Sequence, residues 1–139
     1  MPEISPILTF HGNCVEAMHF YESALHGKLE VMMTNAQSPV ASQAPPGSAD
    51  RIMHARLVCD GGTLMAMDDQ PNADYKGMNG FSVSLVYGNA AEAKRAFEAL
   101  AKGGKVTMPM DKTFWAEAFG MLTDRFGTPW MVNGAMTPI

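Results

Sequence analysis

His11-Gly12-Asn13-Cys14-Val15-Glu16-Ala17 returns later in the chain as Tyr87-Gly88-Asn89-Ala90-Ala91-Glu92-Ala93, and the step from Gly12 to Gly88 is 76 residues. The match continues at that step through Tyr21/Phe97, Glu22/Glu98 and Gly27/Gly103. The chain therefore reads as two copies of one unit. Two copies packed together leave a shared surface, which is where a ligand is expected.

Each unit opens with a strand-like stretch, residues 4–11 and 81–87, rich in β-branched and aromatic side chains. A helix follows. Asn13 and Asn89 are placed as N-caps, with Glu16 and Glu92 three residues on to reach back in a capping box. Ala17, Phe20, Tyr21 and Ala24 fall on one helical face, as do Ala93, Ala96, Phe97 and Leu100, so each helix covers one side of a sheet. Gly27 and the pair Gly103-Gly104 are expected to stop the helices in left-handed geometry.

Further strands are predicted over residues 28–33, 52–59 and 63–68 in the first unit, and over 105–110, 114–123 and 128–133 in the second. Aligning the hairpin glycines Gly62 and Gly127 gives a second step of 65 residues, so the first unit is longer by 11, the difference between 76 and 65. The extra residues lie in 34–50, where Pro39, Pro45, Pro46 and Gly47 describe an irregular loop, either a lid or flexible decoration. A shorter linker, 69–80, joins the units. The expected fold is a single α+β domain of two β-α-β-β-β modules, about 4–68 and 80–134. They form a cupped eight-stranded mixed sheet with the helices outside.

The bulk properties agree. A chain of 139 residues with 47% hydrophobic and 17% charged residues buries enough apolar surface to fold without metal or disulfide staples. A net charge of −4, with Lys and Arg scattered singly, offers no footprint for nucleic acid or anionic membrane. No apolar run is long enough to span a bilayer, and residues 1–6 lack the basic flank and apolar core of a secretory signal. A cytoplasmic protein is expected. Cys14 and Cys59 are then buried free thiols, and the 13 methionines are read as core filling ahead of an apolar binding surface.

The paired modules resemble those of the vicinal oxygen chelate superfamily, which includes glyoxalases, bleomycin-resistance proteins and extradiol dioxygenases. The likeness to its PhnB-like branch is carried by Gly12 to Ala17 with Phe20-Tyr21, by Ile52-Met53-His54-Ala55 and by Gly104-Lys105-Val106-Thr107-Met108-Pro109. It is strongest in Thr113-Phe114-Trp115-Ala116-Glu117-Ala118-Phe119-Gly120, running into Thr123-Asp124-Arg125-Phe126-Gly127 and Trp130-Met131-Val132-Asn133. Many members of that branch carry a demethylubiquinone methyltransferase label, which this sequence does not support, because no glycine-rich nucleotide loop follows a strand.

The resemblance implies where a metal would sit. Metal-dependent relatives place ligands on the first and last strand of each unit. Carried over by the two steps, those positions are Pro6 and Ser82, and Ala66 and Met131. Divalent metals take His nitrogen, carboxylate oxygen or thiolate sulfur at about 2.0–2.3 Å, which none of these four supplies well. No metal and no cofactor is expected. His11, His19 and His26 read as solvated. His54 lies mid-strand, and alternation sends it to the same face as Arg56, where the pair suits an anion or a carbonyl.

No nucleophile stands at a recognisable spacing from a His and a carboxylate. The candidates for proton transfer are His54, Asp68 and Glu117, with Asp68 read as solvated beside Asp69. Glu117 alternates with Trp115 and Phe119, so two aromatics flank an acid on one face; they either stack on a flat ligand or belong to the core or a dimer contact. The candidate ligand-binding residues are thus His54, Arg56, Trp115, Glu117 and Phe119. The function expected is a small-molecule binding protein of the glyoxalase/bleomycin-resistance type without the usual metal site, and a homodimer is expected. The alternative is a metal-dependent lyase, isomerase or dioxygenase of the same superfamily.

Overall fold

The structure, a computed structural model, describes residues 2–137. The chain divides into two compact units, Met1–Gly77 and Met78–Ile139. Each carries the expected β-α-β-β-β order and its own four-stranded mixed sheet, so the eight strands divide four and four.

In the first unit β1 (Ile7–Phe10) leads to α1 (Cys14–Leu25), then β2 (Lys28–Thr34), β3 (Ile52–Cys59) and β4 (Gly62–Asp68). The strand order is β1-β4-β3-β2, with β1 parallel to β4 and the other pairs antiparallel. Alternation divides the sheet into two faces. Leu8, Phe10, Ala55, Leu57, Leu64 and Ala66 are buried beneath the α1 residues Cys14, Ala17, Met18, Tyr21 and Ala24. Ile7, by contrast, is 57% exposed on the face turned away from the helix.

The second unit repeats this with β5 (Val83–Tyr87), α2 (Ala90–Ala101), β6 (Lys105–Asp111), β7 (Ala116–Thr123) and β8 (Pro129–Met136), in the order β5-β8-β7-β6. Ala93, Ala96, Phe97 and Leu100 form the buried face of α2, as their spacing predicts. Trp130 and Val132 are buried with them, and the Trp130 indole donates to Asp124 Oδ2 at 2.8 Å.

Several ends differ from expectation. Strand β1 starts at Ile7, where its pairing with Met65 begins, and Ile4 before it is 92% exposed. Strand β7 starts at Ala116 because the Thr113 hydroxyl accepts from the Trp115 and Ala116 amides at 3.3 and 3.2 Å, which makes a turn there. The last strand runs on to Met136. Gly103 takes the left-handed conformation expected of it (φ +74°), but α1 ends with His26 in that conformation (φ +53°) rather than Gly27. Gly27 is needed for space: a Cβ there would meet Cys59 Sγ at 2.9 Å and the Val58 carbonyl at 3.0 Å.

The helix starts also differ from each other. Asn89 Oδ1 accepts from the Glu92 amide at 2.8 Å, as the motif predicts, whereas the Asn13 side chain makes no capping bond. Asp68, at the end of β4, does that work. Its Oδ1 accepts from the Gly12 and Cys14 amides at 2.9 and 3.1 Å, and its Oδ2 from the Ile52 amide at 2.9 Å. Asp68 is 6% exposed, which corrects the solvated reading.

The 34–50 segment is ordered by its own hydrogen bonds. The Asn35 amide donates to the Arg51 carbonyl at 2.9 Å, and the Asn35 side-chain amide to the Ser48 carbonyl at 2.8 Å. The Ser38 and Ser48 hydroxyls, both buried, donate to the Asn35 and Pro45 carbonyls at 2.9 and 2.6 Å. These bonds close a compact surface loop on itself.

Candidate functional site

Strand pairing shows what each sheet presents on the face away from its helix. In the first unit Arg56 pairs with Val31 on one side and Met65 on the other, and Met65 pairs with Ile7. His54 pairs with Met33, and by alternation shares the face of Arg56 as expected. Both are half-buried. Arg56 Nε is buried without a hydrogen bond among the described residues, 3.7 Å from the Glu30 carboxylate. At that distance the pair supplies charge attraction without a formed bond.

In the second unit the corresponding face carries Trp115, Glu117, Phe119 and Asn133. The Trp115 and Phe119 rings meet edge to face, 5.1 Å apart at 69°. Trp115 Nε1 donates to Asn133 Oδ1 at 3.2 Å, and Asn133 Nδ2 donates to the Leu85 carbonyl at 3.4 Å. Asn133 pairs directly with Phe119 across β7 and β8. These contacts fix the indole plane: one edge is bonded, another lies on a phenyl ring, and Phe114 abuts it at 4.8 Å. Glu117 lies on the same face, exposed. The structure thus joins Trp115 to Phe119 and sets His54 beside Arg56 on one sheet; His54 and Arg56 belong to the first unit, the other three to the second.

Two of the four positions carried over for a metal, Pro6 and Ala66, need correction. The pairs Leu8/Ala66 and Leu85/Val132 are equivalent, as are Ile7/Met65 and Ser84/Met131. The step is therefore 77 residues in the first strands (Leu8 to Leu85) and 66 in the last (Ala66 to Val132). The β3–β4 turn joins Cys59 to Gly62 through two residues, 60–61, whereas Thr123 and Pro129 are joined by the longer 124–128, so Gly62 and Gly127 are not equivalent. A one-residue slip turns a side chain to the opposite face. Ala66 accordingly faces α1, fully buried, and Pro6 has the parity of Leu8 and Phe10 on that same side. In place of Ala66, the open face of β4 presents Met65, the counterpart of Met131 in β8.

This donor set does not fit the superfamily's metal, since a thioether is a poor ligand for a divalent ion that prefers nitrogen or oxygen. Among the described residues no three His, Cys, Asp or Glu side chains gather around a common point.

A polar cluster at the start of α1 went unread in the sequence. His11 Nδ1 lies 2.6 Å from Asp69 Oδ1, and Arg51 Nη1 reaches the same oxygen at 3.1 Å. The His11 ring stacks on Tyr75, 5.5 Å away and 13° from parallel, and the Tyr75 hydroxyl donates to the Thr9 carbonyl at 2.9 Å. Burial, helped by the Asp69 charge, raises the Tyr75 pKa. His11 is therefore engaged, not simply solvated. Only the Asp68-Asp69 doublet near Arg51 hinted at the cluster, because its members are scattered over more than sixty positions of chain, from Thr9 to Tyr75. Burial and then the Asp68 charge push the Cys14 thiol up to about 12. The Cys59 thiol is raised as well, by burial and then Asp60. Cys14 is buried and Cys59 half-buried, both unpaired.

Two β-α-β-β-β units, each with its first strand parallel to its last, define a glyoxalase/bleomycin-resistance-type fold. A glyoxylase/bleomycin resistance protein/dioxygenase domain from Frankia sp. EAN1pec superposes with a TM-score of 0.67 over 96% of this chain and 93% of its own, at 14% identity. Residues 2–133 match the family described as 3-demethylubiquinone-9 3-methyltransferase, and the chain belongs to that PhnB-like family. It is 36% identical to Protein YjdN of Escherichia coli K12, with 94% of this chain and 93% of that protein covered. It is similar to the crystal structure of protein PA1353 from Pseudomonas aeruginosa at 50% identity, with a TM-score of 0.88 and 96% and 97% of the two chains covered.

Proposed function

We propose that this protein is a metal-independent small-molecule binder of the glyoxalase/bleomycin-resistance type, taking a small, partly aromatic ligand. The observation that carries the reading is the fixed Trp115 indole. Held by Asn133 and Phe119, it costs little conformational entropy on stacking against a flat molecule, and exposed Glu117 on the same face offers one polar contact. His54 and Arg56 provide polar contacts for a carbonyl or anion on the first unit's sheet. The family's descriptive name specifies methyl transfer, but each strand-to-helix loop here, 11–13 and 88–89, holds a single glycine, which does not support a nucleotide cofactor.

The same reading includes a homodimer, supported by Phe114, which is 78% exposed beside Trp115 and available for a second copy to cover. It includes a cytoplasmic setting, supported by two unpaired cysteines, and no membrane partner. No helix among the described residues is long and apolar enough to cross a membrane.

The test combines metal analysis of the purified protein with a fluorescence titration against flat aromatic probes. The expected result is no stoichiometric metal, saturable quenching in the wild type, and loss of that quenching in Trp115→Phe. Stoichiometric Ni, Fe, Mn or Zn with His54 in its shell would instead establish the metal-dependent lyase, isomerase or dioxygenase.

A further inference from the structure

The 35–50 loop roofs a cavity of about 370 Å³ that lies wholly within the first unit. Only four residues, 112–115, separate β6 from β7 in the second unit, so it has no counterpart to that roof. The volume falls in the range of small-molecule sites. Its apolar wall comprises Val40 and Pro45 of the loop with Met53 and Met67 of β3 and β4. Methionine is unbranched and polarizable, and shapes itself to an irregular apolar body.

The polar lining decides the ligand's charge. Asn35 and Ser38 donate to backbone carbonyls that order the loop. Gln43 and Gln70 are exposed at the cavity, and their side-chain amides have no hydrogen bond among the described residues. Among the described residues no Lys, Arg or His lines it. The single charged lining group, Asp68, faces three backbone N–H groups and the positive end of α1, which offset its charge. An anion would meet no cation here, and a cation would meet a carboxylate already compensated.

We propose that this cavity binds an uncharged amphipathic molecule, with an aliphatic body against Met53 and Met67 and a neutral amide or hydroxyl edge hydrogen-bonded by Gln43 and Gln70. The site is independent of Trp115, so its failure and the failure of the aromatic-ligand reading are separable.

Three probes of one shape and different charge test it: cyclohexanecarboxamide, cyclohexanecarboxylate and cyclohexylmethylammonium. None is aromatic. Binding is followed on the intact chain by NMR of methionine methyl groups carrying carbon-13, with Met53→Leu and Met67→Leu assigning the two reporters. The expected result is saturable shifts of the Met53 and Met67 methyls with the carboxamide, at least about tenfold tighter than with either charged probe. The Gln43→Ala/Gln70→Ala double variant, altered only at exposed residues, weakens this by about fivefold or more, and Trp115→Phe leaves it unchanged. Equal or tighter binding of a charged probe overturns the proposal. So does the absence of saturable shifts at either methyl, or a carboxamide affinity that the double variant does not alter.

Discussion

In the first unit Phe10, the last residue of β1, pairs with Asp68 of β4; in the second, Tyr87, the last residue of β5, pairs with Gly134 of β8. The two positions are equivalent, yet one holds a buried carboxylate and the other no side chain. Asp68 reaches over to the start of α1 and takes the amides of Gly12 and Cys14. At Gly134 the missing side chain lets α2 settle onto β8, since a Cβ there would lie 2.6 Å from Ala93 Cβ and 3.0 Å from the Asn89 carbonyl. Asn89 then caps its own helix. A shared Gly-Asn-x-x-Glu-Ala sequence thus begins two helices by different means, and the choice is made by a residue more than forty positions downstream in each unit.

The largest effect is expected from removing the borrowed cap. Asp68→Ala leaves the Cys14 and Ile52 amides buried without acceptors, in addition to that of Gly12. With hydrogen bonds to a charged group contributing about 1.5–3 kcal/mol each and not adding fully, the loss should be about 3–5 kcal/mol. Urea unfolding measures it, and Asp68→Asn, which keeps an acceptor oxygen, should lose less. A loss below about 1 kcal/mol would mean that α1 does not depend on β4 for its start.

Gly134→Ala is next. Its Cβ would press on Ala93 Cβ, Ala90 Cα and the Asn89 carbonyl, two of them backbone atoms that move only with the helix. A cost of about 1–3 kcal/mol is expected. Thermal unfolding compared with a silent exposed site such as Gly61→Ala, where a Cβ meets nothing within 4 Å, isolates the close approach from the general effect of removing a glycine.

These two positions also show what could be read from the residues alone. The helices were legible because the apolar spacing that buries Ala93, Ala96, Phe97 and Leu100 lies within twelve residues. Strand β3 was legible from end to end, and so was the shared face of Trp115 and Phe119, because alternation is equally local. Asp68 was not. Its three partners come from residues 12, 14 and 52, and only the parallel pairing of β1 with β4 brings them to it. The register of the last strands was lost for a related reason: two hairpins of unequal length, each with a glycine, invite an alignment that only the ladder corrects. Asn133, which orients the Trp115 ring, was quoted only as part of the family pattern, because nothing in its own neighbourhood marks it as a partner.

A third difference sits at the first helical residue, Cys14 in α1 and Ala90 in α2. With the folded thiol raised to about 12 from 9.0, the unfolded chain loses its proton first. The associated stability is intact below pH 9 and falls as pH rises toward the folded value. Comparing urea unfolding at pH 8 and pH 10, Cys14→Ala should remove about 1 kcal/mol of the wild type's alkaline loss. Cys59 and Tyr75, whose raised values act in the same direction, account for part of what remains. Asp68→Asn should lower the Cys14 value by removing the smaller of its two causes, which thiol alkylation rates against pH can read. If Cys14→Ala leaves the pH dependence untouched, the thiol is not shielded as its burial requires.

The smallest effects make the sharpest test of the comparison, because they concern the same residue type in the same motif. Asn89 Oδ1 accepts from the Glu92 amide at 2.8 Å, so Asn89→Ala should cost about 1 kcal/mol, the usual loss for an N-cap. Asn13 makes no such bond, and Asp68 already satisfies the amides nearest it. Asn13→Ala should therefore change stability by no more than a few tenths of a kcal/mol, as for an ordinary surface position. The two should become similar in the Asp68→Ala background, where Asn13 is the side chain in the motif placed to cap α1. There Asn13→Ala should cost about as much as Asn89→Ala does in the wild type. A double-mutant cycle between positions 13 and 68 reads that dependence directly, and additivity of the two losses would show that α1 never draws on its own asparagine.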